Sequence, residues 1–342
     1  MAAPLAKPDP RIPVTIVTGF LGSGKTTLLS NLLRRAHGER IAVIINEFGE
    51  VPLDQAFIDA AGGKAVTVAG GCLCCAIAGD IVTTLRALHE SRSERAFDRV
   101  VIETSGLADP GPISADLLDA PELTQLFRLE GVVCVVDALQ GLLEFDRQRI
   151  SVKQVAMADR LVLTKSDIAS PHAIPRLLER LAAINPSAPL TVANYGDVDP
   201  GWLLRPVEEH GRWPQAMDQE GHSHHGHNHG IRASCLWFEQ PLDREAFWRA
   251  MATLTDTHGE RLLRIKGLLN LSGEPRPVAI HGVGRFLHPL EPLADWPGAD
   301  RRSRVVFIAD RLGEAEIAPF FESLAPRPLK SEPHPEFEQA VQ

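Results

Sequence analysis

Eight residues carry the strongest chemical signal in the chain. Gly19-Phe20-Leu21-Gly22-Ser23-Gly24-Lys25-Thr26 follow the β-branched run Val14 to Thr18 and open a segment with leucines at 28, 29, 32 and 33. Gly19, Gly22 and Gly24 let the backbone curl so that successive N–H groups face the phosphates, at a helix N-terminus whose dipole favours negative charge. The chemistry this predicts is nucleoside triphosphate binding. Ser23 sits within the loop, Lys25 reaches the β- and γ-phosphates, Thr26 offers its hydroxyl to Mg²⁺ and Thr27 contacts the α-phosphate. An ordinary Gly-rich turn is the competing description, and the placement between strand and helix argues against it. A second segment, Val100-Val101-Ile102-Glu103-Thr104-Ser105-Gly106, ends an apolar run with an acid and then a glycine. It presents a carboxylate to Mg²⁺ or to the attacking water, and a backbone N–H of Gly106 to the γ-phosphate. Both roles for Glu103 stay open.

Thr164-Lys165-Ser166-Asp167 is a variant of the Asn-Lys-x-Asp signature of guanine recognition. Asp167 can accept from the guanine N1 and N2 hydrogens, which adenine cannot reciprocate, while the Lys165 stem covers the base. An unsatisfied buried acceptor costs about 1 to 3 kcal/mol, so Asp167 alone gives discrimination of tens of fold. Thr164 stands where Asn is usual, which weakens one expected contact. The expected nucleotides are therefore GTP and GDP.

A separate set of residues reads as metal chemistry. Cys72, Cys74 and Cys75 are three thiols within four positions, and thiolates select Zn²⁺ or another borderline-to-soft ion over Mg²⁺. Three ligands leave one position open, which suits an ion that must be handed on rather than a permanent structural zinc. Asn46-Glu47-Phe48-Gly49-Glu50 closes the second β-branched run, where nucleotide proteins place a switch segment. Glu47 or Glu50 completes the metal set if that segment folds toward Cys74. His222, His224, His225, His227 and His229 place five imidazoles within eight residues, able to bind Zn²⁺, Ni²⁺ or Co²⁺ weakly and exchange it quickly. The competing descriptions are reduced, partly buried cysteines or a redox sensor, an acidic surface loop, and a solvated spacer. Cys134 and Cys235, inside or beside apolar runs, read as packing residues.

These residues need a frame. Expected strands at Val14 to Thr18, Ile41 to Ile45, Ala65 to Val68, Val100 to Ile102, Val132 to Val136, Leu161 to Thr164 and Leu190 to Val192 alternate with helical patterns, the clearest from Thr26 to His37-Gly38, Ile77 to His89 and Ala173 to Ile184. That rhythm predicts an α/β fold, a P-loop NTPase doubly wound mostly parallel sheet. From Asp197 to Gly230 the composition shifts to Pro, Gly, Trp, Gln and His and reads as a linker. Beyond it, strands at Ser234 to Glu239, Leu262 to Leu271, Pro277 to Leu287 and Val305 to Ala309, with helices at Arg244 to Asp256 and Glu314 to Leu324, predict a smaller C-terminal α+β domain. The 342 residues suit two domains at about 150 residues each. A net charge of −9 argues against nucleic acid or anionic membrane as partners. The absence of a leader or an 18-residue apolar run, with the clustered thiols, points to the cytoplasm.

Together, Gly19 to Thr27, Asn46 to Glu50, Cys72 to Cys75 and Glu103-Thr104-Ser105-Gly106-Leu107-Ala108-Asp109-Pro110 resemble the CobW family of metal-handling P-loop GTPases, closest to its YjiA-like members. The resemblance continues through Thr164 to Asp167, Arg264-Ile265-Lys266-Gly267 and Arg301 to Ile308. It implies slow GTP hydrolysis coupled to delivery of a metal, often Zn²⁺, and an internal metal motif at Cys72, Cys74 and Cys75. Ile45 stands where some YjiA-like proteins carry a metal-binding Glu, which leaves Glu50 and Cys74 as the expected ligands. The expected organisation is a flexible N-terminus (1–10), a P-loop GTPase domain (11–205), a His-rich linker (206–232), a CobW-like C-terminal α+β domain (233–325) and a disordered tail (326–342). The leading expectation is a GTP-driven metallochaperone serving a client metalloprotein or metal-dependent pathway enzyme, with a homodimer admitted. A metal buffer in which nucleotide only stabilises the fold is the alternative, and a small-molecule kinase lacks any sign of an acceptor pocket. Lys25, Glu103 and Gly106 are the expected catalytic set. No water-positioning Gln or arginine finger announces itself, so slow turnover is expected.

Overall fold

The β-branched runs of the first 200 residues pair into one parallel sheet. In the computed structural model, which describes residues 9–35, 39–46, 66–69, 81–93, 96–205 and 229–324, the strands are β1 (Ile12–Thr18), β2 (Ile41–Asn46), β3 (Val66–Ala69), β4 (Arg99–Thr104), β5 (Phe127–Asp137), β6 (Arg160–Thr164) and β7 (Leu190–Ala193). Their spatial order is β3-β2-β4-β1-β5-β6-β7, with every neighbouring pair parallel. Parallel strands need crossovers, and those helices cover both faces, so β4 and β6 are buried along their whole length. The helices are α1 (Lys25–Arg35), α2 (Ile81–Glu90), α3 (Pro110–Asp119), the single turn α4 (Pro121–Thr124), α5 (Gly141–Arg147), α6 (Arg149–Met157), α7 (Ala173–Ile184) and α8 (Pro200–Leu204). In α1 the leucines at 28, 29 and 32 are buried as one stripe. Strand order reverses around β1, the place where open α/β sheets bind ligands beyond the carboxyl ends of their strands.

The C-terminal part builds a second, antiparallel sheet from β8 (Ile231–Phe238), β9 (Leu262–Leu269), β10 (Val278–Val283), β11 (Phe286–Leu287), β12 (Glu291–Pro292) and β13 (Ser303–Asp310). Its order is β11-β10-β9-β13-β8, with β12 on β10. Because side chains alternate across each strand, one face sends Phe238, Ile265 and Phe307 against Phe247, Met251 and Leu254 of α9 (Arg244–His258). The other sends Cys235, Trp237, Val306 and Ile308 into the same core as Val152 and Val155 of α6 and Leu177 and Leu181 of α7. The two sheets thus share an apolar layer.

Several expected boundaries move, each for a local reason. β5 begins at Phe127 rather than Val132 because Phe127 and Leu129 alternate with half-buried Arg128 and Glu130 and pair with Ile12–Val14. The expected strand Pro277 to Leu287 is two strands, since Gly284 takes φ +58° and turns β10 back into β11. The expected helix Glu314 to Leu324 is α-helical only over α10 (Glu314–Ile317) before a 3₁₀ segment, Pro319 supplying no N–H to continue the ladder. The expected linker contains α8, capped by Asp199, whose carboxylate accepts from the Trp202 N–H at 2.9 Å. Residues 36–38, which include the expected cap Gly38, lie outside the described residues, as do 77–80 and the tail 326–342.

Candidate nucleotide and metal site

The phosphate loop leaves the C-terminal end of β1 with φ +141° at Gly19, +74° at Gly22 and +98° at Gly24, a backbone that L side chains rarely adopt. The Lys25 ammonium donates to the carbonyls of Gly19 (2.9 Å) and Phe20 (3.1 Å), which holds it at the centre of the loop. Ser23 is buried beneath, and Thr26 and Thr27 follow on the first turn of α1, where N–H groups lack intrahelical partners. Thr26 Oγ1 donates to Glu103 Oε1 at 2.8 Å. Glu103 is in register with Val17 of β1 on one side and Ile45 of β2 on the other. Lys25, Thr26, Glu103, Gly106, Leu21 and Ile45 are among the residues around a cavity of about 270 Å³. A Cβ on Gly106 would stand 2.6 Å from the Leu21 nitrogen and 2.7 Å from its Cα, so only glycine lets the two loops approach.

The segment Thr164 to Asp167 is tied to the same loop. Thr164 Oγ1 donates to Ser23 O at 2.7 Å, with Val136 O at 3.2 Å as a second acceptor. The residue that departs from the usual Asn therefore bridges β6 to the phosphate loop. Lys165, at φ +58°, donates to Gly22 O (2.8 Å) and to Asp137 Oδ2 (2.6 Å). Asp137, buried at the end of β5, also accepts from the Leu139 N–H at 2.7 Å. Asp167 is exposed. Sequence reasoning missed Asp137, although an acid terminating the apolar run Val132 to Val136 is the same signal that marks Glu103 near the end of β4. Nearby, Glu144 on α5 is pushed up to about 7, first by burial and then by Asp137, against the opposing pull of Lys165 and Lys25.

The metal residues divide. Cys72, Cys74, Cys75, Glu47, Glu50, His222, His224, His225 and His227 lie outside the described residues. His229 is described: its Nε2 is 3.1 Å from Phe145 O, joining the turn before β8 to α5. Among the described residues no three His, Cys, Asp or Glu side chains converge as a metal site. Cys134 and Cys235 are buried packing residues, as their sequence context predicts, and burial pushes both thiols up to about 12. Topology adds a constraint. β2 and β3 pair in parallel through Ile45↔Ala69, and β2 pairs β4 through Asn46↔Thr104. The glutamate segment and the cysteine segment therefore leave adjacent strands at the end of the sheet that carries Glu103 and the phosphate loop. Among the described residues no helix is long and apolar enough to cross a membrane.

Comparison with known proteins matches both parts of the fold. Residues 13–192 match the CobW/HypB/UreG nucleotide-binding domain, and residues 231–325 match the C-terminal domain of cobalamin synthesis protein cobW. The zinc chaperone YjiA of Escherichia coli is 36% identical over 323 residues, covering 92% of this chain and 98% of that protein. The zinc chaperone CobW of Pseudomonas aeruginosa is 33% identical over 349 residues, covering 90% of each. The crystal structure of the Zn(II)-bound YjiA GTPase from E. coli superimposes with a TM-score of 0.70 at 32% identity, covering 92% of this chain and 99% of that one.

Proposed function

The chain belongs to the CobW/HypB/UreG family of nucleotide-binding proteins and carries the cobW C-terminal domain, and from that premise we propose that it is a GTP-hydrolysing metallochaperone that delivers Zn²⁺ to a client metalloprotein. The observation that carries this reading is the shared end of the sheet: β3, β2 and β4 pair in parallel and end where β4 presents Glu103, and in the chain the glutamate segment follows β2 and the cysteine segment follows β3. In this reading Gly19, Gly22, Ser23 and Gly24 wrap the phosphates, Lys25 neutralises the β- and γ-phosphates, and Thr27 meets the α-phosphate. Lys165 covers the guanine and Asp167 accepts its N1 and N2 hydrogens, with Asp137 holding the lysine in place. Thr26 Oγ1 and Glu103 Oε1, 2.8 Å apart, are hard oxygen donors of the kind Mg²⁺ prefers. Mg²⁺ bound there supplies charge neutralisation at the triphosphate. Gly106 offers backbone N–H to the γ-phosphate, and hydrolysis releases the segment that follows it.

The cargo ion belongs to Cys72, Cys74 and Cys75 with Glu50, the histidines at 222, 224, 225, 227 and 229 collecting it. Co²⁺ and Ni²⁺ are admitted by the same donors. Linkage makes the proposal quantitative: a tenfold change in zinc affinity between GTP and GDP states is about 1.4 kcal/mol of coupling, and zinc must change GTP affinity by the same factor. The test is titration of the purified chain with Zn²⁺, Co²⁺ and Ni²⁺ under GDP and under a non-hydrolysable GTP analogue, with Cys74→Ala alongside. A difference of about tenfold or more that disappears in Cys74→Ala is expected. Equal zinc affinity in the two nucleotide states leaves a metal buffer instead. Lys25→Ala separates the two readings again: hydrolysis and client loading are lost while nucleotide-free zinc affinity stays at the parent value.

A further inference from the structure

The segment that follows Glu103 is held from behind by one helix. Gln154, in the middle of α6, is fully buried, and its Nε2 donates to Gly106 O at 3.2 Å and to Ala108 O at 3.0 Å. The preceding residue, Lys153, donates to Asp109 Oδ2 at 2.5 Å, and Asp109 caps α3 through the Gly111 N–H at 2.9 Å. Two consecutive residues of α6 thus hold three residues of the stretch 106–109. Gln154 Oε1 has no hydrogen-bond partner among the described residues. A buried unsatisfied acceptor is costly, and that cost is set against the two carbonyls that Nε2 satisfies, in a core that Val152 and Val155 otherwise fill with apolar groups. A trans peptide places its carbonyl and the next N–H on opposite sides. With the Gly106 and Ala108 carbonyls turned onto α6, the following N–H groups, of Leu107 and Asp109, point away from it, and the Leu107 N–H donates to Ser105 Oγ at 3.3 Å, so the stretch that carries the Gly106 N–H is pinned at each step. On its other side Gly106 abuts Leu21 of the phosphate loop.

We propose that Gln154 is a positioning residue for GTP hydrolysis, clamping the Gly106 and Ala108 carbonyls so that the stretch carrying the Gly106 N–H is set in place before the nucleotide arrives. The inference rests on the GTPase reading above. It differs from that reading in assigning a role to a side chain that touches neither nucleotide nor metal. Gln154→Met keeps length and removes both donors.

The experiment measures kcat and KM for GTP hydrolysis, GDP affinity and melting temperature for the full chain and for Gln154→Met. The expected result is a fall in kcat of about 10- to 100-fold with KM and GDP affinity within twofold of the parent. A kcat within threefold of the parent overturns the inference. So does a parallel loss of kcat and GDP affinity, which marks general loosening rather than positioning. If Gln154→Met does not fold, Lys153→Met, on the half-buried side of the same helix, carries the test: kcat falls several-fold at constant GDP affinity, and an unchanged kcat overturns the inference. Parent hydrolysis is measured first, because a parent that hydrolyses beside an indifferent variant sinks only this inference, whereas an inert parent sinks the GTPase reading and this inference with it.

Discussion

Asp137 ties Lys165 to the phosphate loop. Its carboxylate holds the ammonium at 2.6 Å while the same ammonium donates to Gly22 O at 2.8 Å, so the end of β5 and the phosphate loop share one cation. Asp137→Asn keeps an acceptor but removes the charge, and charge-assisted bonds are roughly twice as strong as neutral ones. We expect GDP affinity to fall about tenfold, with little change in melting temperature; retained affinity in a calorimetric titration would contradict the assignment. Glu144, close enough to feel Asp137, gives a pH prediction. Its folded pKa of about 7 lies above the unfolded value of 4.5. Above pH 7 the folded state therefore holds an ionised group in an unfavourable place, and stability rises as pH falls from 7 toward 4.5 because only the folded state takes up the proton. Glu144→Gln removes the ionisation, so it stabilises the nucleotide-free chain at pH 8, by about 1 kcal/mol once solvent screening of this half-exposed group is counted, and by almost nothing at pH 4.5. Urea midpoints at the two pH values check this, and a stabilisation that does not depend on pH would refute it.

At the scale of elements, α6 depends on partners it does not itself provide. Its C-terminal carbonyls are satisfied from outside: Asn185 Nδ2 donates to Val155 O and Ala158 O at 2.8 Å and to Ala156 O at 3.3 Å, while its Oδ1 accepts from Ser187 Oγ at 2.9 Å. Removing that amide in Asn185→Ala leaves buried carbonyls without a donor, and we expect a loss of about 2 to 4 kcal/mol in urea unfolding; a loss below about 1 kcal/mol would show that the helix end finds other partners. The same dependence explains what the sequence could and could not disclose. The phosphate loop, Glu103 and Thr164 to Asp167 are local signals: a few residue types at fixed offsets beside a β-branched run. α7 matches its expected bounds because Ile174, Leu177, Leu178 and Leu181 form a periodic buried stripe. α6 is hidden because its buried residues include Ser151 and Gln154, polar groups whose burial is meaningful only once Gly106 and Ala108 lie above them. The break between β10 and β11 turns on one positive φ at Gly284, and a glycine in an apolar run is equally compatible with an unbroken strand.

For the whole molecule, the interface between the two sheets decides whether nucleotide can be felt by the C-terminal domain. Arg264 of β9 forms an ion pair with Asp159, which follows α6, and both side chains are almost completely buried. Asp159 also accepts from the Val132 N–H of β5 at 2.9 Å, so one carboxylate joins the central sheet to the second. Lys266 adds a longer contact to Ser187 O at 3.4 Å, and Arg285 meets Asp119 at 3.4 Å nearer the surface. Taking away one partner of a buried pair strands the other charge, at a cost of about 3 to 5 kcal/mol. Arg264→Met should be destabilised by that amount, and adding Asp159→Asn, which keeps an acceptor for Val132, should restore part of it. Because the apolar layer is continuous across the interface, the parent should unfold in one transition, with Trp202 on α8 and Trp237 on β8 reporting the same midpoint from single-tryptophan variants. Ligand linkage then extends to the far sheet: GDP at 100 times its dissociation constant adds about 2.7 kcal/mol, and in a cooperative molecule the Trp237 midpoint must rise with the Trp202 midpoint. Two separated midpoints, with only the Trp202 one moved by GDP, would mean that the second sheet is a passenger and that nucleotide-driven delivery cannot run through it.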